Sequence, residues 1–426
     1  MKWYVFLLLF LPSAALSQPL VNYVDPLIGT GPATTPGALK HSESASENKG
    51  QTIPSVGRPF AMTQWTPETR TTELKCIAPY YYTDTLITGF RGTHWLNGSC
   101  TQDYGSVTLM PFTSALPDSV RSAPVSGFRH SDEVATPYKY TVILEDYSIK
   151  AEISGSTRCG IMRFIYPGNN VSCLQIRVNS DEKEGRIWYD ERKNKIFCYN
   201  PVHRIYQGHG KTAGFSGYFV IEFSHPFRLI SAGKDKQSLV ISFGGRKEIV
   251  TRIGSSFTDL VAAAANLEAE INGWDPDLVA EETKNEWEKT LSKIMVSGGS
   301  KDDMVKFYTA LYHCYQAPRI ASDFKGTYQG FADDTLIHIA EGFVYYDDFT
   351  MWDTFRALHP LLNILEPSAT TDMVKSLIAK AQQGGWMPVF PLWGSYTSAM
   401  IGDHAGAMIA ETFLKGNEDF DIETAY

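Results

Sequence analysis

The chain has 426 residues, 43% hydrophobic and 13% aromatic, enough for a large core and more than one domain usually holds. A formal net charge of -9 excludes the clustered positive charge that a nucleic-acid backbone requires, so a neutral or polar substrate fits better. Six cysteines without a CxxC spacing leave zinc ribbons and thioredoxin-like chemistry unsupported, and neither HExxH nor GxSxG occurs.

At the start, Lys2 precedes an apolar run from Trp3 to Leu11 and small residues at Ala15 and Ser17. Residues 1–17 therefore read as a secretory signal peptide, which predicts a secreted or periplasmic protein. The run falls short of the roughly 20 apolar residues that span a bilayer, and no membrane partner is expected after cleavage. From Tyr104 to about Arg252, short alternating segments such as YGSVTLMPF, YKYTVILED, GIMRFIYP and GYFVIEFS are divided by Gly, Pro, Asn and Asp. These are β-strands, and the lack of helical crossovers between them favours an antiparallel sandwich.

Near Phe257 the period changes. FTDLVAAAANLEAEI, LVAEETKNEWEKTLSKIMV and DDMVKFYTALYHCYQA carry apolar residues at helical intervals. Further helices are predicted at TMWDTFRALHPLLNIL, SATTDMVKSLIAKAQQ, MIGDHAGAMIAETFLK and FDIETAY, with long aromatic loops over 324–346 and 384–398. The expected organisation is a signal peptide at 1–17, an N-terminal antiparallel β-sandwich at 18–255, linker helices at 256–300 and helices at 301–426. About half a dozen helices are half of what a closed (α/α)6 toroid needs, so an incomplete toroid truncated at its C-terminus is expected.

Three clusters of aromatic and polar residues are candidates for a site. Trp352, Asp353 and Arg356 sit near a predicted helix start, where an indole face, a carboxylate and a guanidinium supply stacking and hydrogen bonds for a sugar ring. The same residues also suit an ion pair and a core tryptophan. His94, Trp95 and Gly98 occupy a small-residue loop before a strand, although a lone histidine in an apolar setting is more often structural. Trp386 and the Gly402-Asp403-His404 run form the third cluster, in which Asp403 suits either a hydroxyl or a helix cap. Glycoside hydrolysis needs two carboxyl groups on either side of the scissile bond, and Asp347, Asp348, Asp353 and Asp403 are available.

Six ordered motifs carry a specific likeness. They are Tyr23-Val24-Asp25-Pro26-Leu27-Ile28-Gly29-Thr30-Gly31; Pro59-Phe60-Ala61-Met62-Thr63-Gln64-Trp65; the His94 to Gly105 loop; Trp352-Asp353-Thr354-Phe355-Arg356-Ala357-Leu358-His359-Pro360; Gln383-Gly384-Gly385-Trp386-Met387-Pro388; and Met400-Ile401-Gly402-Asp403-His404. Together they resemble glycoside hydrolase family 92. The resemblance implies a β-sandwich joined to an (α/α)6 barrel, with α-mannose-containing glycans held between them. It also implies exo-α-mannosidase activity of α-1,2 type with inversion, and a calcium ion contacting the sugar. Trp352 and Asp353 match residues of the mannose subsite and His94, Trp95 and Gly98 the sandwich's contribution to it, while Arg356, Trp386 and His404 are further substrate-binding residues that the resemblance implies. The family's general acid and base lie in motifs beyond Tyr426, so no residue here inherits either role. A non-catalytic mannose-binding protein or inactive paralogue is the alternative.

Overall fold

A computed structural model describes residues 18–36, 39, 49–115, 123–168, 170–206 and 208–426. The expected signal peptide and the Lys40-His41-Ser42-Glu43 stretch lie outside the described residues.

The N-terminal half is an antiparallel sandwich. One sheet has six strands in the order Gln64–Glu68, Gly89–Thr93, Val107–Ser114, Val171–Val178, Ser238–Ser242 and Arg228–Ala232. The other has eight, running Arg186–Asp190, Lys195–His203, Thr212–Phe223, Glu248–Ser256, Cys159–Ile165, Ile149–Gly155, Tyr140–Leu144 and Val134–Ala135. Leu109 and Ile176 of the first sheet meet Phe164, Ile196 and Phe219 of the second in one core. Trp65 is wholly buried there because Gly92, Gly155 and Gly160 leave room for its indole.

The helices that follow are α1 (Leu260–Glu270), α2 (Pro276–Leu291), α3 (Lys301–His313), α4 (Met351–Thr354), α5 (Leu358–Leu365), α6 (Pro367–Gly384), α7 (His404–Leu414) and α8 (Ile422–Ala425). Their starts are written locally. Asp259, Asp275, Ser300 and Asp403 each cap a helix by accepting a backbone N–H, and Pro276 opens α2. The segments expected as linkers are packed elements. Gly254 lets α1 approach its strand, and α2 is fastened by Thr283 Oγ1 to Gly155 O and Trp287 Nε1 to Gly57 O, both at 2.7 Å. Helix α2 ends at Leu291, short of the helical pattern that runs on to Val296 in the sequence.

A second core forms around Trp287, Tyr308, Tyr312, Met351, Leu362, Met373 and Met408. A third, rich in aromatics, sits where sandwich and helices meet and includes Tyr104, Phe215, Phe257, Tyr328, Tyr345, Phe390 and Trp393. The helices do not close a ring among the described residues. The loop expected over 324–346 contains a short hairpin, Thr327–Gln329 with Ile337–Ile339. The single helix expected over 350–365 is broken between α4 and α5. Pro360 explains the break: it has no N–H to give the carbonyl of Arg356, and its ring would collide with that carbonyl in a continuous helix.

Candidate functional site at the junction

On the sandwich side, the carboxylate of the fully buried Asp103 closes the loop that carries His94. Its Oδ1 accepts from His94 N and Tyr104 N, each at 2.9 Å, and its Oδ2 from Thr93 Oγ1 at 2.7 Å and Arg91 Nη1 at 2.9 Å. A Cys76–Cys100 disulfide ties the same loop to the preceding one. His94 and Trp95 are each only 1% exposed, which corrects the expectation that their rings meet a sugar. Burial, reinforced by the Arg319 charge, lowers the pKa of His94 to about 4, so the ring is neutral at neutral pH. Its Nδ1 donates to Tyr104 O at 2.7 Å, which leaves Nε2 as the acceptor for Thr63 Oγ1 at 2.9 Å. Trp95 Nε1 donates to Gln51 O at 2.8 Å. Gly98, at φ +81°, is the exposed member of this group. The Asn97 side-chain amide is used internally, its Oδ1 accepting from Ile53 N at 2.9 Å and its Nδ2 donating to Gln64 Oε1 at 3.2 Å.

On the helical side, buried Phe349 and Met351 anchor the chain just before α4. Trp352 stays 42% exposed, with its ring edge-on to His404 at 5.4 Å; His404 in turn stacks on Phe355 at 4.2 Å. Two separate stretches of sequence thereby give one aromatic platform. Asp353 is exposed beside it, and partial burial raises its carboxyl above the ordinary range. Asp353 and Arg356 do not form an ion pair: the break after α4 removes the helical register that would align them, and Arg356 lies over the Phe355 ring at 5.2 Å. Trp386 belongs to a neighbouring group. It is 79% exposed, and it lines a cleft of about 320 Å³ with Phe390, Tyr396, Thr397 and Met400.

Between these two sides lies a buried charged network that sequence reasoning only partly found. Asp348 accepts from Arg319 Nε at 2.6 Å, Tyr104 OH at 2.7 Å and Trp393 N at 3.2 Å. Burial raises its carboxyl above the ordinary range, opposed by the Arg319 guanidinium. Asp347 accepts from Gly394 N at 2.8 Å and lies 3.2 Å from Lys380 Nζ; the lysine's hydrogen bonds go to Tyr345 OH at 2.5 Å and Tyr346 O at 2.8 Å. Burial lowers the Lys380 pKa, opposed by Asp347. Asp347 and Asp348 stood out in the sequence as an acidic pair in an aromatic run. Arg319 and Tyr104 belonged to no chemical motif, and only the fold brings them together.

Of the four carboxylates available for catalysis, Asp347 and Asp348 are therefore bound up in buried pairs. Asp403 caps α7 by accepting from Gly406 N at 3.2 Å. Asp353 and Asp403 are both exposed, Asp403 with one carboxylate oxygen committed to the helix cap. Calcium requires several oxygen ligands, but among the described residues no three His, Cys, Asp or Glu side chains converge in metal-binding range.

An antiparallel sandwich docked on a helical layer, with an exposed indole and carboxylate at the start of α4, frames the candidate site. Residues 23–263 match the glycosyl hydrolase family 92 N-terminal domain and residues 262–426 match the family 92 catalytic domain, so the chain belongs to glycosyl hydrolase family 92. The fold is similar to that of a family 92 inverting mannosidase from Bacteroides thetaiotaomicron, with a TM-score of 0.81, 26% identity and coverage of 96% of this chain and 54% of that one. It is equally similar, at a TM-score of 0.81 and 26% identity, to a family 92 α-mannosidase of the same organism in complex with mannoimidazole, covering 96% of this chain and 55% of that one. The chain thus spans about half the length of these solved relatives. A comparison with curated proteins finds no match.

Proposed function

We propose that this chain carries the mannose-recognising part of a secreted exo-α-mannosidase of α-1,2 type that releases mannose from glycans with inversion. The observation that carries the reading is the exposed Trp352 indole, backed by His404 and Phe355, with the Asp353 carboxylate beside it. An indole face takes the C–H face of a hexose, and an adjacent carboxylate accepts from its hydroxyls. Family membership and the likeness to mannosidases support mannose as that hexose. Secretion is proposed from residues 1–17; no helix among the described residues is long and apolar enough to cross a membrane.

The roles given to these residues are binding and orientation. Neither the general acid nor the base is assigned to this chain, because Asp347, Asp348 and Asp403 are held by internal partners. Calcium belongs to the proposal as an ion that would contact mannose hydroxyls, but it is assigned no ligand among the described residues and no step is routed through it.

Calorimetric titration with D-mannose and α-1,2-mannobiose, followed by analysis of the products, tests the reading. Binding that is lost in Trp352→Ala supports it. Saturable binding without mannose release favours the non-catalytic mannose-binding alternative, and no binding of either sugar rejects mannose recognition.

A further inference from the structure

Asp348 has a backbone φ of +59°, in the left-handed region that few residues other than glycine enter and that aspartate tolerates better than most. Its side-chain partners come from three separate parts of the chain. Tyr104 reaches it from the sandwich, Arg319 from the segment after α3, and the Trp393 N–H from the 391–396 hairpin; the Asp348 backbone itself follows the short pairing of Tyr346–Asp347 with Arg319–Ile320. Arg319 is wholly buried, and its Nη2 donates to His94 O at 2.6 Å and Trp95 O at 3.1 Å. One guanidinium therefore grips the sandwich loop through two carbonyls and the sugar-binding segment through one carboxylate.

Little slack separates this grip from Trp352. Phe349 N donates to Pro391 O at 3.0 Å, and the Phe349 and Met351 side chains are fully buried. A shift at Asp348 is thus passed to the start of α4, where Trp352 and Asp353 project. The placement of Trp352 also depends on this alignment, since His404 meets the indole on one side and the Phe355 ring on another.

We propose that Asp348 and Arg319 are positioning residues: their buried pair, completed by Tyr104, couples the His94–Trp95 loop to the Trp352–Asp353 turn and sets the aim of the sugar platform. This deepens the mannose-recognition reading and rests on it. It also gives the buried His94 loop a part in recognition that its sealed rings cannot play directly.

The test is a double-variant cycle on D-mannose affinity, measured by calorimetry on the whole chain. Asp348→Asn keeps the side-chain shape but removes the charge that Arg319 and Tyr104 engage, and should weaken affinity about tenfold through misplacement of the platform. In a Trp352→Phe background the same change should cost less than about twofold, because the group through which Asp348 acts has already been altered. Equal losses in both backgrounds, or no loss from Asp348→Asn, overturn the positioning assignment while leaving mannose recognition standing. Tyr104→Phe removes one hydroxyl and keeps the ring; it should weaken affinity about threefold with the same coupling to Trp352, and serves if the Asn variant fails to fold. Unchanged affinity in Tyr104→Phe likewise overturns the assignment. A wild-type chain that binds no mannose overturns the recognition reading itself, and this inference with it.

Discussion

Gly160→Ala should destabilise the sandwich strongly, for a reason that the geometry makes explicit. A methyl group at residue 160 would sit 2.2, 2.5 and 2.7 Å from three carbons of the Trp65 indole, well inside contact distance. The indole has no easy retreat. Gly155 already approaches its edge so closely that a Cβ there would lie 2.6 Å from Trp65, and Gly92 confines it at 2.9 Å by the same measure. Overpacking a tight core costs about 1–3 kcal/mol, and with three carbons in conflict the upper end, about 3 kcal/mol, is expected. For a unit of this size that corresponds to a fall in Tm of roughly 6–12 °C, read by differential scanning calorimetry. Adding Trp65→Phe, which replaces the bicyclic indole by a single smaller ring, should recover part of the loss and make the two changes non-additive. A Tm change below about 2 °C for Gly160→Ala would show that the indole has room to move and would refute the packing argument.

Trp352→Ala should abolish mannose binding in calorimetry while lowering Tm by less than about 2 °C, because the ring is exposed and leaves little cavity. Burial lowers the pKa of His94, His313 and His359 to about 4, so all three rings stay neutral in the fold while the unfolded chain protonates below about pH 6.5. Stability should therefore fall as pH drops from about 6.5 to 4, by at most about 3 kcal/mol per ring, in a pH series of thermal melts. Both ring nitrogens of the fully buried His359 lack a hydrogen-bond partner among the described residues, so His359→Leu should stabilise the protein by about 1–3 kcal/mol at pH 5 and flatten that series. Cys76 and Cys100 close a loop with a sequence separation of 24, so Cys76→Ser should cost about 3 kcal/mol and a reductant should lower the Tm of the wild type but not of the variant.

Local pattern was sufficient for the strands and most helices. Alternation with period two along Tyr140–Leu144, and Asp259, Asp275, Ser300 and Asp403 before apolar runs, are signals that neighbouring residues carry by themselves. The Trp352 cluster was singled out on residue types alone, and the fold brings Trp352 and His404 into ring contact. The break at Pro360 was present in the sequence, but a continuous apolar pattern outweighed it.

Burial and long-range partnership belonged to the tertiary structure. Nothing local distinguishes His94 and Trp95, whose rings are sealed in the core, from Trp352, whose ring faces outward, because burial depends on what the rest of the chain stacks above each residue. Nor does anything local say that Asp348 is spent on Arg319 and Tyr104 rather than free for chemistry, with Tyr104 244 positions away in sequence. Sequence specifies which groups a segment can offer. Whether an offered charge meets water, a sugar or a buried counter-charge is settled by surfaces assembled from distant segments, since only their packing fixes distance and excludes solvent.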